Sequence, residues 1–139
     1  MDLLGEISKT KYFVFGLSHS NYTLSKIIET KKIVVSEVPS RYKELIYQLG
    51  KHHGTNPPAL NGLPFKVKQT DLWNFPIPVW VDNYKEIKII KIVNLGSHML
   101  LWGKIENSIT SDGDPNSLFH LHFVQHLFNK KRGSIYREV

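Results

Sequence analysis

The hydrophobic pattern changes period several times along the chain. Tyr12-Phe13-Val14-Phe15-Gly16-Leu17 is a short apolar run rich in aromatics and reads as a buried strand. Ser18 to Tyr22 is polar and turn-like, and Thr23 is placed to cap a short helix carrying Ile27 and Ile28. The β-branched Ile33-Val34-Val35 reads as a second strand. Pro39-Ser40 opens the clearest helical pattern. Tyr42, Leu45, Ile46 and Leu49 recur at i, i+3, i+4 and i+7, with Ser40 as N-cap and Gly50 as a left-handed terminator.

Lys51 to Leu63 is irregular, with His52, His53, Gly54, Pro57, Pro58 and Gly62, and a loop of that length inside a compact domain is often functional. Pro76 and Pro78 limit the stretch around Ile77 to a sheet edge or a strand start. Lys85 to Val93 alternates polar and apolar over its first part. Asn94-Leu95-Gly96 then makes a tight turn, and His98 to Ile105 completes an antiparallel hairpin. Ser111 to Asn116 is a turn cluster, and Leu118 to Phe128 is apolar and histidine-rich without a clear period. These elements predict a mainly β protein: a small antiparallel barrel with one or two short helices over one side.

The 139 residues suit a single domain, 1–139, and with 41% hydrophobic and 22% charged residues the chain can form its own core. There are no cysteines, which removes disulfides, thiolate metal sites, iron–sulfur clusters and cysteine nucleophiles together and fits a reducing compartment. No apolar run approaches the roughly 20 residues of a membrane span, and Met1 to Glu6 lacks the basic flank of a signal peptide. A cytoplasmic protein with no membrane partner is the expectation. Eighteen Lys plus Arg against 12 Asp plus Glu give a formal charge of +6, which favours anionic partners. The charge is scattered, its densest cluster being Lys130-Lys131-Arg132, so nucleic acid is not the expected partner.

Several enzyme fingerprints are absent: Walker loop, G-x-G-x-x-G, G-x-S-x-G and H-E-x-x-H. His120, His122 and His126 would share one face of a strand, and three imidazoles can hold zinc; their apolar neighbours fit a half-buried or interface segment as well, and no metal is assigned. Ser18-His19-Ser20-Asn21-Tyr22-Thr23 gathers hydroxyl, amide and imidazole groups between a strand and a helix start. That is either a good anion cradle or an ordinary capped connection. His98 begins a strand just after a turn, where small barrels place ligands.

In their order these motifs resemble the flavin reductase-like, FMN-binding split-barrel family. The polar turn ending in Tyr22-Thr23 and the strand Ile33-Val34-Val35-Ser36-Glu37-Val38-Pro39 take the places of that family's phosphate turn and its "F-V-V-N-x-P" strand. The segment Leu95-Gly96-Ser97-His98-Met99-Leu100-Leu101-Trp102-Gly103-Lys104-Ile105 resembles its "G-D/S-H-x-L-F-x-G-x-V" hairpin, and Ile135-Tyr136-Arg137-Glu138 its closing segment. The resemblance implies a homodimeric split β-barrel holding FMN, with NADH or NADPH as electron donor. It implies that Ser18, His19, Ser20, Asn21, Thr23 and Gly54 contact the cofactor and that His98 lies by the nicotinamide and flavin as the catalytic position. In such proteins the flavin does the hydride chemistry and the chain orients it. Two departures stand out. The family's usual first strands precede the point where this sequence begins, and Gly62-Leu63-Pro64-Phe65-Lys66 replaces its "D-K-F" loop motif. The alternative is a relative that has lost FMN and serves as an oligomerisation or interaction module; a third reading, resting only on charge and aromatics, is a basic β-barrel that binds nucleic acid.

Overall fold

The computed structural model describes residues 2–7, 11–49 and 59–111. Strand β1 (Asp2–Ile7) pairs antiparallel with β2 (Tyr12–Ser18), Asp2 opposite Gly16 and Ile7 opposite Tyr12. The sequence pattern does not announce β1. Asp2-Leu3-Leu4-Gly5-Glu6 has no alternation, and the register slips between Leu3 and Gly5, so pairing with β2 makes this segment a strand where its own period does not.

Helix α1 (Tyr22–Thr30) follows, and its cap differs from expectation. Asn21, not Thr23, is the N-cap: its side-chain oxygen accepts the Thr23 N–H at 2.9 Å. The helix stops at Lys31, whose left-handed φ of 58° lets its N–H reach the Ile27 carbonyl. Strand β3 (Lys32–Ser36) comes next. Ser40 is not a cap either. Its carbonyl accepts the Lys43 N–H, which tightens Ser40–Tyr42 into a single 3-10 turn ahead of α2 (Lys43–Leu49). The short strands β4 (Val67–Gln69) and β5 (Pro76–Pro78) form a separate two-stranded ribbon, the peripheral place the two prolines required. The long strands β6 (Tyr84–Asn94) and β7 (His98–Ile109) form the predicted hairpin and run beyond its predicted end.

The main sheet is antiparallel, in the order β1-β2-β7-β6-β3, and it curls into a half-barrel. Its inner face carries the core: Phe13, Phe15 and Leu17 from β2, Leu101 from β7, Ile87 and Ile89 from β6, with Leu24 and Ile27 of α1 laid across them. Ile33, Val35, Ile92, Met99 and Ile105 pack at its margin. Gly103 lies opposite Phe13 on one side and Ile89 on the other. The space its side chain would take is filled by the Ile87 side chain, with Ile89 and the Lys88 carbonyl close behind.

A second, smaller cluster of Ile77, Val81 and Tyr84 covers part of the outer face beside Val34, Trp80 and Ile109. Glu86 is buried within this layer, fully shielded from solvent. Its carboxylate accepts the N–H groups of Leu72 (3.0 Å) and Trp73 (2.9 Å) and the side-chain amide of Asn107 (2.8 Å). The Thr70 hydroxyl donates to it as well, while the same oxygen accepts the Phe75 N–H at 2.9 Å. Burial alone would push this carboxyl up, but the four hydrogen bonds outweigh burial and hold it below the usual carboxylate value. The pairing slips by one residue here, Glu86 facing Asn107 and Ile87 facing Ile105, and this bulge aims Asn107 at the acid.

Two stability measurements follow from this packing. Gly103→Ala forces a methyl group into space held by the fully buried Ile87, and it is expected to lower unfolding free energy by about 1–3 kcal/mol in a denaturant titration. Glu86→Gln replaces a carboxylate that only accepts by an amide that must also donate toward backbone N–H groups. A loss of about 2 kcal/mol at neutral pH is expected. Because the folded carboxyl is held low, its stabilisation is fully present above the ordinary glutamate range and fades as pH falls below about 4. The stability gap between wild type and Glu86→Gln therefore narrows in acid; a constant gap would contradict the account.

Candidate functional site at the β2–α1 turn

The register of β2 on β7 runs from Tyr12 opposite Lys104 to Ser18 opposite His98. It places the polar turn after β2 beside the hairpin turn before β7, at one end of the sheet. The two candidate groups therefore converge although about 75 residues separate them, as the span between His19 and Asn94 shows. The His19 N–H donates to the Ser97 carbonyl at 3.3 Å, and the His19 ring Nε2 lies 3.1 Å from Asn94 Oδ1. The same Asn94 oxygen accepts the Gly96 N–H at 2.9 Å, which fixes it as an acceptor. His19 Nε2 must then carry a proton toward it. Gly96 has φ 93°, the left-handed geometry that closes this hairpin.

Within the polar turn, Ser18 Oγ and Ser20 Oγ are 3.1 Å apart, and the Asn21 N–H donates to the Ser18 carbonyl at 3.0 Å. Asn21 spends its side-chain oxygen on the cap. Ser20 and Thr23 are exposed, and α1 has no acidic residue in its first turn. The Tyr22 N–H, first of the helix, has no intrahelical acceptor by position. Exposed hydroxyls, an imidazole and a helix N-terminus without carboxylates make a donor set suited to a phosphate.

His98 is half-buried on the outer face of β7, because Met99 beside it packs on the core. The Ser97 hydroxyl lies 2.8 Å from His98 Nδ1 and steadies the ring. Along the outer face from Ser18 and His98 come Gly16 and Leu100, paired with each other, and then Val14 and Trp102. Gly16 leaves the surface shallow beside the turn. Gly54, the histidines His120, His122 and His126, and the closing Tyr136-Arg137 segment lie outside the described residues. Asn94 and Ser97 were not singled out as site residues by the sequence pattern. The asparagine opening a Gly-containing turn is the available signal for the first, but its contact with His19 needs the sheet register.

A curled antiparallel half-barrel sheet with two short helices is a fold shared with solved FMN-binding and flavin reductase-type proteins. Three solved structures carry that assignment. The FMN-binding protein from Thermus thermophilus, solved with bound p-hydroxybenzaldehyde, superposes with a TM-score of 0.67 at 18% identity, over 80% of this chain and 61% of that one. Flavoredoxin from Methanosarcina acetivorans gives a TM-score of 0.67 at 15% identity, over 80% and 59%. The NADH:FAD oxidoreductase from Streptomyces globisporus gives 0.62 at 10% identity, over 79% and 64%. This chain thus spans about three fifths of the length of these proteins. No family model matches the sequence, and no curated protein matches it. Among the described residues, no helix is long and apolar enough to cross a membrane.

The cap geometry has a direct test. Asn21→Ala leaves the Thr23 N–H without its acceptor and should cost about 1 kcal/mol of stability. Faster amide exchange confined to the first turn of α1 is the expected signature, measured by hydrogen exchange. Unchanged exchange there would show that Asn21 is not the cap.

Proposed function

We propose that this chain is a flavin-binding, flavin reductase-like domain that takes FMN as cofactor or substrate. The observation that carries this reading is the meeting of the Ser18–Thr23 turn with the Ser97-His98 hairpin, in a fold whose solved neighbours include FMN-binding and flavin-reducing proteins. In this reading the hydroxyls of Ser18, Ser20 and Thr23 hold the FMN phosphate with His19 beside them, and Asn21, whose side chain takes the Thr23 N–H, leaves the Tyr22 N–H to face it. Gly54 belongs to the same proposed cofactor contacts by resemblance. A bound flavin would supply the capacity to accept a hydride from NADH or NADPH. His98, steadied by Ser97, would orient the nicotinamide against the outer face of β7.

The same reading includes a homodimer. Leu95 at the hairpin tip is 59% exposed and Val93 is 37% exposed, apolar surface of the kind a second copy covers. A cytoplasmic location suits the cysteine-free sequence.

Ser20→Ala combined with Thr23→Ala removes two hydroxyl donors from the phosphate and leaves the ring site untouched. FMN affinity should fall about 100-fold, taking roughly 1.5 kcal/mol for each hydrogen bond to a charged group, while riboflavin affinity stays the same. Flavin fluorescence quenching measures both. Equal affinity of the wild-type protein for FMN and riboflavin would sink the phosphate assignment. A colourless protein that releases all added FMN on desalting would return the function to the non-enzymatic interaction module.

A further inference from the structure

The +6 charge is scattered in sequence, but the sheet register gathers part of it. Lys32 lies opposite Lys88, and Lys88 lies opposite Lys104. Lys104 in turn faces Tyr12. The neighbours of these lysines, Ile33, Ile87, Ile89, Gly103 and Ile105, point into the core or line it, so all three lysines project from the outer face. Adjacent strands are about 4.8 Å apart, which puts three ammonium-bearing positions within roughly 10 Å. One row toward the hairpin turn, Lys91 lies opposite Trp102, again on the outer face.

Like charges directly opposite each other across strands destabilise a sheet. Among the described residues no carboxylate pairs with them. Lys32, Lys88, Lys91 and Lys104 are all exposed and take no part in the one salt bridge among the described residues, Lys26 with Glu29. Glu106, two residues beyond Lys104, is exposed and forms no ion pair with the row. Aromatic rings are set among the cations. Trp102 is 38% exposed and meets Tyr12 edge-on at 5.8 Å, and Trp73 lies under the Lys32 ammonium at 5.3 Å.

We propose that this outer face binds single-stranded nucleic acid, with Lys32, Lys88, Lys104 and Lys91 on successive phosphates and Trp102 stacking on a base. A line of cations along one direction matches a linear polyanion. Trp102, exposed beside the cations, offers the stacking face that unpaired bases use. Lys104 lies midway along β7, between His98 at one end and Ile109 at the other, and the inference does not depend on flavin binding.

The test is fluorescence anisotropy of the full chain with a labelled oligothymidylate of about 20 nucleotides, longer than the roughly 4–16 that one small barrel covers. Four phosphate contacts on a single strand predict a slope of about −3 in log affinity against log salt, a loss of about 50-fold between 50 and 200 mM. Lys32→Gln, Lys88→Gln and Lys104→Gln together should reduce that slope to about −0.7. These substitutions relieve cross-strand repulsion, so the fold should be at least as stable, as circular dichroism melting would show. Lys43→Gln, Lys66→Gln and Lys68→Gln remove the same charge elsewhere and should leave binding within about twofold. Trp102 fluorescence should quench on binding, and Trp102→Leu should weaken it about tenfold, the effect of one stacked base. Absence of binding at 50 mM salt would overturn the proposal. So would equal losses in the two triple variants, which would mean net charge alone. Row-dependent adsorption to phosphatidylserine vesicles without oligonucleotide binding would overturn it in favour of a membrane surface. FMN binding, read separately on the two triple-lysine variants, should be unchanged.

Discussion

Strand β7 is hydrogen-bonded along both edges, to β2 on one side and to β6 on the other. This double pairing sets one register for three strands at once. It brings Ser18 to His98 and Tyr12 to Lys104 on one edge, and Ile87 to Ile105 and Ile89 to Gly103 on the other. A slip of one residue on either edge would turn Phe13, Phe15 and Leu17, or Ile87 and Ile89, out of the core. The core therefore holds the candidate site together although no core residue is part of it. The polar turn and the hairpin turn meet because apolar side chains on the opposite face admit a single alignment.

The alignment is adjusted twice along β6, between Glu86 and Ile87 and between Ile89 and Lys91. The first adjustment serves the buried acid. A lone carboxylate taken from water is costly unless it is satisfied from several sides, and here backbone and side-chain donors converge on it. Asn107 reaches it from β7, and the other donors, Thr70, Leu72 and Trp73, come from a loop that has little regular structure of its own. Glu86 thus ties the Thr70–Phe75 segment to the sheet by direction-specific bonds, in a region where apolar contacts alone would tolerate several arrangements. Stacking of Tyr42 on Trp80, with ring centroids 4.0 Å apart, fastens the segment before α2 to the same layer.

Much of this was legible in the chain itself. Strands with strong apolar or alternating runs, such as 12–17 and 85–93, declare themselves because burial of one face imposes period 2. The resemblance carried by the hairpin from Leu95 to Ile105 pointed to the fold the structure has. Other features were not legible because they are decided by partners. β1 becomes a strand by pairing. Asn21 and Thr23 are both good caps, and backbone conformation chooses between them. Ser40 has the chemistry of a cap but sits in a tighter turn. Glu86 looks like one more polar residue in an alternating strand, and only the loop above it makes it internal. The lysine row depends on the register of three strands, so no window of sequence contains it.

The contact between Gly103 and Ile87 reaches beyond the stability of this one molecule. The two positions share a single volume across neighbouring strands, and the glycine exists as a vacancy for the isoleucine to fill. In evolutionary terms they form one character. A lineage that places a side chain at position 103 must first, or at the same step, shorten the residue at 87. Divergent members of the fold should then exchange the pair together, glycine with a large partner or alanine with a small one. Single changes at either position lead through an overpacked or a hollow intermediate.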